Sequence, residues 1–305
     1  MIHKHLYKGR NWIDIDHPTQ EDIKEIMQDY DVDPLVAHEL ISPTPRPKVE
    51  FHKNYIYLIL HFPAFKHSHS EENIMQEVDF IIGKNYVITA RYDTVDALLK
   101  CSKLFEVDTI LNKKNPDNTS GALFFKIIQE LYKSLFDELA YIEDWSEDIE
   151  SRIFKGHEKE MVFALSHVSR NLLDFKKIID FQETVLHSLK IGGEKIFGDE
   201  FEFHIHAILG EYKKIKNAIA SNMESIAELR DTNNALLTTK QNEDMRVLTI
   251  VAFIALPLSF VTSLFQMNLN GTPIANSPHA FWIVFLLLIA FAFAQYLFFK
   301  WKKWL

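Results

Sequence analysis

The chain has 305 residues, long enough for two or three structural units, and its 33 Lys and Arg against 42 Asp and Glu give a formal net charge of -9. This acidic balance argues against nucleic-acid binding, which needs a basic face. Cys101 is the only cysteine, which excludes an intrachain disulfide and fits a reducing compartment for the soluble part of the chain.

The first predicted elements belong to a mixed α/β domain over residues 1–118. The N-terminal segment lacks the apolar core of a signal peptide. Alternation at Trp12–Ile15 favours a short strand. The sequence Thr19-Gln20-Glu21-Asp22 resembles a capping box and predicts a helix that ends near Tyr30. Asp33-Pro34 predicts the start of a second helix, with Asp at the cap and Pro in the first turn.

The second half of this domain is predicted to be mainly β-structure. Alternating side chains predict one strand over Lys48–Phe62. Asp79–Ile82 and Tyr86–Arg91 are rich in β-forming residues and flank a Gly-Lys-Asn turn, which predicts a hairpin. A polar segment, His67–Asn73, is predicted to be an exposed loop.

A turn-rich segment, Asn112–Ser120, precedes a helical stalk region over residues 119–246. Its first helix has an apolar face with residues three or four apart: Leu123, Ile127, Leu131, Leu135, Leu139, Ile142 and Trp145. An acidic face lies between Glu138 and Glu150. A second helix is predicted over Lys159–Leu189, ended by Ile191-Gly192-Gly193.

The third helix of this region is predicted to continue into an apolar segment. Between Asp199 and Leu256 there is no proline, and Gly210 is the only glycine. We therefore expect one helix from about Phe201 to Phe265, roughly 95 Å long at 1.5 Å per residue. Its cytoplasmic part repeats apolar residues at near-heptad spacing, which predicts packing against neighbouring helices.

Residues 247–305 are predicted to form a transmembrane hairpin with a basic tail. Val247–Phe265 and Ala280–Phe299 hold 19 and 20 residues without a charge, and a bilayer core needs roughly 20 apolar residues. Lys and Arg flank the outer ends of both spans, and the connecting segment has no charge. The positive-inside rule then predicts that both termini lie in the cytoplasm. The membrane is expected to be the inner or plasma membrane.

One face of the first span carries a polar stripe. It contains Asn242, Thr249, Leu256, Ser259 and Ser263, spaced by 7, 7, 3 and 4 residues, and three turns earlier it reaches Asp231. Small polar residues in membrane helices also mediate helix packing, so the stripe alone is compatible with packing or with a pore. In a pore, Leu256 would form a hydrophobic constriction.

The same residues carry a family resemblance. Asn242-x-x-Met245-Arg246-x-Leu248-Thr249, Leu256-Pro257-Leu258-Ser259-Phe260 and Met267-Asn268 resemble the pore helix of the CorA-type divalent-cation transporters. The basic ending Phe299–Leu305 is similar to the tail of that family. Near the N-terminus, Arg46–Glu50 and Gly83–Thr89 are similar to its cytoplasmic domain. The resemblance therefore spans nearly the whole chain.

The resemblance implies a homopentameric membrane channel with a cytoplasmic α+β domain, long stalk helices and passive uptake of a hydrated divalent cation. It implies that Asn268, in the entrance segment Gln266-Met267-Asn268, holds the water shell of the ion. It implies that Asn242 and Ser259 form polar pore rings, that Leu248 and Leu256 form the hydrophobic gate, and that Asp231 lies at the cytoplasmic mouth. The polar stripe adds Thr249 and Ser263 to the predicted pore-lining residues. No cofactor is implied beyond the transported ion, Mg²⁺ or Zn²⁺, and the implied partners are further copies of the chain and lipid.

The entrance segment differs from the Gly-Met-Asn signature of the family, because Gln266 replaces the glycine. A glycine there would permit a tight turn at the helix end. The uncharged connecting segment, Asn270–Ile274 with Pro278–Trp282, looks closer to the ZntB-type branch, which is linked to zinc. The hypotheses are therefore a magnesium channel (with cobalt or nickel as further ions), a zinc transporter with or without proton coupling, and a non-conducting membrane-anchored sensor or scaffold.

Other candidate sites are weaker. Three His-x-His pairs begin at His3, His67 and His204, and i, i+2 histidines can share a metal on a strand or loop but point apart on a helix. His279 lies in the connecting segment. The acidic face at Glu138–Glu150 is either a solvated surface or a cation-collecting one. No phosphate-binding loop, zinc-protease motif or nucleophile elbow occurs, so we do not expect an enzyme.

Overall fold

The computed structural model describes residues 1–7, 9–63, 75–110, 119–266 and 279–302. Two compact units divide the chain, unit 1 over residues 1–230 and unit 2 over residues 231–305. The predicted loop at His67–Asn73 and most of the predicted break at Asn112–Ser120 lie outside the described residues.

The described residues form six strands and seven helices. Their bounds are β1 Ile2–Tyr7, β2 Arg10–Asp16, α1 Gln20–Tyr30, α2 Pro34–Glu39, β3 Lys48–Phe51, β4 Tyr55–Pro63, β5 Met75–Gly83, β6 Tyr86–Arg91, α3 Asp96–Ile110, α4 Ser120–Phe154, α5 Glu158–Phe197, α6 Asp199–Gln266 and α7 Ala280–Trp301. The predicted α+β domain, long helices and C-terminal apolar pair are confirmed.

The six strands form one sheet in the order β1-β2-β6-β5-β4-β3, antiparallel except for the parallel pair β2 and β6. Every residue of β4 is buried, because helices cover both faces of the sheet. One face packs against α1 and α2 through residues such as Ile13, Ile59 and Ile81. On the other face, Phe80 meets Phe124 of α4 edge to face at 5.3 Å between ring centroids.

Local signals at the helix starts are confirmed. Thr19 caps α1 and forms the full capping box with Asp22, and Asp33 caps α2 with its side chain accepting from the Leu35 N–H. The single strand predicted over Lys48–Phe62 is wrong: the chain turns after Phe51 and returns as β4, which pairs with β3 in antiparallel register. Because β3 and β4 are both rich in β-forming residues, the sequence pattern shows no break at the turn after Phe51.

Helices α4, α5 and the first half of α6 form a long bundle in unit 1. The apolar face predicted for α4 is buried except at Trp145, which is partly exposed. In α6, Ile205, Ile208, Tyr212, Ile215 and Ile219 are almost fully buried at heptad-like intervals. The burial of these residues in the bundle covers the apolar stripe of the 68-residue helix α6 within unit 1.

The predicted end of α5 at the glycine pair is wrong, since the helix continues to Phe197. The two glycines serve close packing instead. A Cβ at Gly193 would overlap the ring of Phe201, which is 2% exposed. A Cβ at Gly192 would overlap the end of the Phe51 ring, which is 42% exposed and free to move aside.

A buried glutamine connects the sheet to the bundle. Gln182 of α5 is fully buried; its Oε1 accepts from the Tyr132 hydroxyl at 2.7 Å, and its Nε2 donates to the His61 carbonyl at 2.6 Å. Tyr132 belongs to α4 and His61 to β4, so one side chain joins three elements. Buried polar groups of this kind must be paired, which fixes the helices relative to the strand.

The sheet also contains a buried carboxyl pair on β5. Asp79 is fully buried and its Oδ2 accepts from the hydroxyls of Tyr57 at 3.1 Å and Tyr92 at 3.0 Å. Burial raises the pKa of Asp79 well above the ordinary carboxyl range, and the nearby Glu77 raises this pKa further. Burial and the neighbouring Glu77 therefore both favour the protonated form of Asp79 in the folded protein.

Candidate functional site

Unit 2 contains the C-terminal part of α6 and helix α7, the two described helices that are long and apolar enough to cross a membrane. Their most apolar 18-residue windows both have a mean hydropathy of 2.3, and 6% and 0% of those windows are buried. A core helix of a soluble protein would be mostly covered. Exposed apolar surface of this extent suits lipid or further protein chains.

The polar stripe lies on the open side of α6. Asp231, Asn242, Leu256, Ser259 and Ser263 are exposed, and Thr249 is partly exposed. Leu248, at the edge of the stripe, is 63% exposed and Leu256 is 69% exposed. The described structure therefore presents all seven predicted pore-lining and gate residues on accessible surface of the single chain.

The covered side of α6 lies roughly opposite the stripe. Ile250 is 5% exposed, and Ile254, Leu258 and Val261 are partly covered. At about 3.6 residues per turn, these four positions share one face that is turned away from Thr249 and Leu256. The uncovered stripe and the covered apolar face thus divide the helix lengthwise.

Hydroxyl groups within the span bond to the helix backbone. The Thr249 hydroxyl donates to the Met245 carbonyl at 2.7 Å, and the Thr262 hydroxyl donates to the Leu258 carbonyl at 3.0 Å. This back-bonding satisfies the hydroxyl donor in an apolar setting while the oxygen keeps acceptor capacity. Hydroxyl oxygens of this kind can still accept from water around a cation.

The predicted entrance segment is described only in part. Gln266 is the last residue of α6. Met267 and Asn268 lie outside the described residues, as does the connecting segment up to residue 278. His279 is exposed immediately before α7.

Gln295 of α7 is a residue whose role the sequence did not reveal. Its Nε2 donates to the backbone carbonyl of Phe253 on α6 at 3.2 Å. Phe253 lies four residues before Pro257, the proline inside α6. The sequence does show a lone amide in one apolar span and a proline in the other. Only the structure shows that the amide bonds the carbonyl freed by the proline.

The other candidate sites gain little. Among the described residues there is no group of three or more His, Cys, Asp or Glu that could hold a metal ion. His204 is 4% exposed whereas His206 lies on the surface beside Glu202, so this pair points apart as predicted. His67 and His69 lie outside the described residues, and His5 packs on the Trp12 ring with centroids 5.0 Å apart.

Two carboxylates on the acidic face of α4 have partners within the bundle or on the same helix. Glu143 accepts from the Asn222 side chain of α6 at 2.9 Å, and Asp148 pairs with Arg152 at 2.9 Å. Glu147 and Glu150 are exposed. This pattern agrees with a solvated helix face.

Comparison with known proteins decides the family. The model of the CorA-like Mg²⁺ transporter protein family matches residues 7–302. The chain belongs to this family. It is therefore a member of a family of divalent-cation transporters.

Relatives agree with this CorA-family assignment across nearly the whole chain. The chain is 27% identical over 297 residues to the cobalt/magnesium transport protein CorA of Thermotoga maritima, covering 96% of this chain and 83% of that protein. It is 22% identical over 236 residues to the zinc transport protein ZntB of Pectobacterium carotovorum, covering 74% of this chain and 69% of that protein.

A solved structure gives the same fold. The CorA magnesium transporter from Methanocaldococcus jannaschii superposes with a TM-score of 0.83 at 22% identity, over 97% of this chain and 92% of that one. This likeness confirms the CorA fold, with an α/β domain, long helices and two C-terminal apolar helices.

Proposed function

We propose that the chain forms a homopentameric channel that carries hydrated divalent cations across the inner or plasma membrane, with magnesium as the first candidate. The observation that carries this proposal is the polar stripe on the open side of α6, opposite the covered apolar face. A helix in this state needs other copies to enclose its polar side. Five copies around an axis would place the stripe on the pore.

Each group of stripe residues then has a distinct task. Asp231, Asn242, Thr249, Ser259 and Ser263 would offer oxygen atoms to the water shell of the ion. Mg²⁺ dehydrates reluctantly, so oxygens that bind its waters suit it better than a fixed cage. Rings of Leu248 and Leu256 would form constrictions that close by losing water.

The entrance would be formed by Gln266, Met267 and Asn268, with the Asn268 amide oxygen facing the hydrated ion. Lys240, Arg246 and Lys300 at the other end of the spans favour cytoplasmic termini by the positive-inside rule. Cation uptake would then be driven by the membrane potential, at about 4.6 kcal/mol per divalent ion per 100 mV, twice the value for one charge. No covalent chemistry or resident cofactor is needed.

Zinc transport is the second candidate, and two sequence features favour it. The chain has Gln266 where the resemblance to the magnesium members implies a glycine, and residues 267–280 contain no Asp or Glu. An uncharged entrance concentrates cations less strongly than an acidic one. The similarity to a zinc transport protein is compatible with this candidate.

Ion uptake into proteoliposomes tests both candidates. Magnesium and zinc are followed with separate fluorescent reporters, under an imposed potential and with or without a pH gradient. Magnesium uptake driven by potential alone supports the first candidate, whereas zinc uptake that rises with a proton gradient supports the second. A pentamer that passes neither ion supports a sensor or scaffold and contradicts transport.

The entrance assignment has its own test. Asn268→Ala removes the proposed amide ring and should reduce or deregulate uptake at least several-fold while the oligomer survives. Asn270→Ala is the matched control, because it removes the same chemistry two residues away. Equal uptake in the Asn268→Ala variant and the parental protein would contradict the entrance role.

A further inference from the structure

Proline 257 creates an unpaired acceptor inside the membrane part of α6. Proline has no backbone N–H, so the carbonyl four residues earlier, that of Phe253, loses its helical donor. In hydrocarbon no water is available to replace this donor, and membrane helices keep a proline where a neighbouring group bonds the freed carbonyl.

The replacement donor comes from α7. Gln295 Nε2 lies 3.2 Å from the Phe253 carbonyl oxygen. A carbonyl only accepts, so the amide must present its nitrogen, and this fixes the orientation of the side-chain amide. One turn further along α7, Phe299 is 6% exposed, with its ring centroid 6.3 Å from that of Phe253. The two contacts together hold α7 against this point of α6.

The other end of the same amide group supports a specific role. Gln295 Oε1 is buried and has no hydrogen-bond partner among the residues that the structure describes. A glutamine placed only to satisfy its own amide would have partners for both the nitrogen and the oxygen. Here the amide uses the one atom that the proline-freed carbonyl requires, at the cost of an unpaired oxygen.

We infer that Gln295 is a positioning residue of the ion pathway, which supplies the hydrogen bond that Pro257 removes. This inference rests on the proposed transport function. Pro257 directly follows Leu256 and lies two residues before Ser259, so the backbone held by Gln295 sets where a constriction residue and a polar stripe residue point. Helix α7 thereby aligns α6 through a single hydrogen bond.

A double-mutant cycle tests the dependence of Gln295 on the proline. Gln295→Leu should lower cation uptake into proteoliposomes by about 3-fold to about 20-fold, the range that interhelical hydrogen bonds in membranes span. In a Pro257→Ala background the alanine N–H bonds the Phe253 carbonyl, so adding Gln295→Leu should change uptake by less than about 2-fold. Tyr296→Phe, which removes the neighbouring polar group of α7, is the matched control and should leave uptake unchanged.

Solid-state NMR reads the bond without transport. Protein labelled with ¹³C at phenylalanine carbonyls and ¹⁵N at glutamine side chains should show a dipolar coupling that Gln295→Leu abolishes. Absence of that coupling in the parental protein overturns the inference, as does an equal effect of Gln295→Leu in both backgrounds. A parental protein with the coupling but no flux overturns the proposed transport and the positioning role, while the hydrogen bond itself is upheld.

Discussion

Replacing the glutamine that joins sheet and bundle should destabilise unit 1 strongly. Gln182→Leu keeps nearly the same volume but leaves the Tyr132 hydroxyl and the His61 carbonyl without their partner. Each orphaned buried group costs about 1–3 kcal/mol, so the free energy of unfolding should fall by about 2–6 kcal/mol. For a unit of this size, that loss corresponds to roughly 4–24 °C in melting temperature.

The assay is thermal unfolding of the full chain in detergent, followed by loss of the oligomer peak in size-exclusion chromatography. Gln28→Leu, an exposed position on α1, is the control and should change stability by less than about 0.5 kcal/mol. Tyr132→Phe combined with Gln182→Leu removes both partners of one bond, so the double variant should lose less than the sum of the single losses. A Gln182→Leu protein that melts with the parental one would refute the reasoning.

Three further predictions concern the sheet, the helix contact and the pathway. The pKa of Asp79 is higher in the fold than the unfolded value of 3.8, so the stability contributed by its protonated form is complete below that value and is lost as pH rises through the folded pKa. Between pH 4 and 9 the free energy of unfolding should therefore fall less steeply in Asp79→Asn than in the parental protein, by up to about 1.4 kcal/mol per pH unit, and equal slopes in thermal unfolding would contradict this. Gly193→Ala should cost about 1–3 kcal/mol by overpacking, whereas Gly192→Ala should be neutral or gain up to about 1 kcal/mol; thermal unfolding checks both, and equal losses would disprove the packing contrast. Leu256→Gly should increase cation leak into proteoliposomes several-fold while Val251→Gly, on another side of α6, should not, and an unchanged leak would place Leu256 away from the axis.

Local signals in the sequence predicted much of the fold. The capping box at Thr19, the Asp33-Pro34 start and the Gly-Lys-Asn hairpin depend on neighbouring residues alone, and all three are confirmed. The continuous helix α6 was predicted because no breaking residue interrupts it before Pro257. Apolar periodicity likewise revealed the buried face of α4.

Elements that depend on distant contacts were missed or misjudged. Strand β1, which pairs with β2 at the edge of the sheet, was not predicted because three of its six residues are His or Lys. The Gly192-Gly193 pair suggested a helix end, but the rings of Phe51 and Phe201 explain it as packing. Helix α3 also escaped prediction, since only one side of it is buried and its apolar residues do not form a clear stripe.

For the candidate site, the polar stripe was predictable from periodicity within one helix. Its accessibility on the open side of α6 needed the structure, since the helix pattern does not say which face is covered. The role of Gln295 depends on a residue 42 positions away. The entrance residues Met267 and Asn268 remain a prediction, because they lie outside the described residues.

The parallel pairing of β2 with β6 determines when the sheet can form during synthesis of the chain. β2 ends at Asp16, yet its central neighbour begins only at Tyr86, so the sheet cannot close until about 70 further residues have left the ribosome. At about 5–20 residues per second, the 230 residues of unit 1 take roughly 12–46 s to appear. Since α6 is shared, the last turns of the bundle emerge just before the first apolar span. The sheet can therefore begin to fold before the first apolar span is available for membrane insertion. A variant whose sheet folds slowly would enter the membrane before unit 1 has folded.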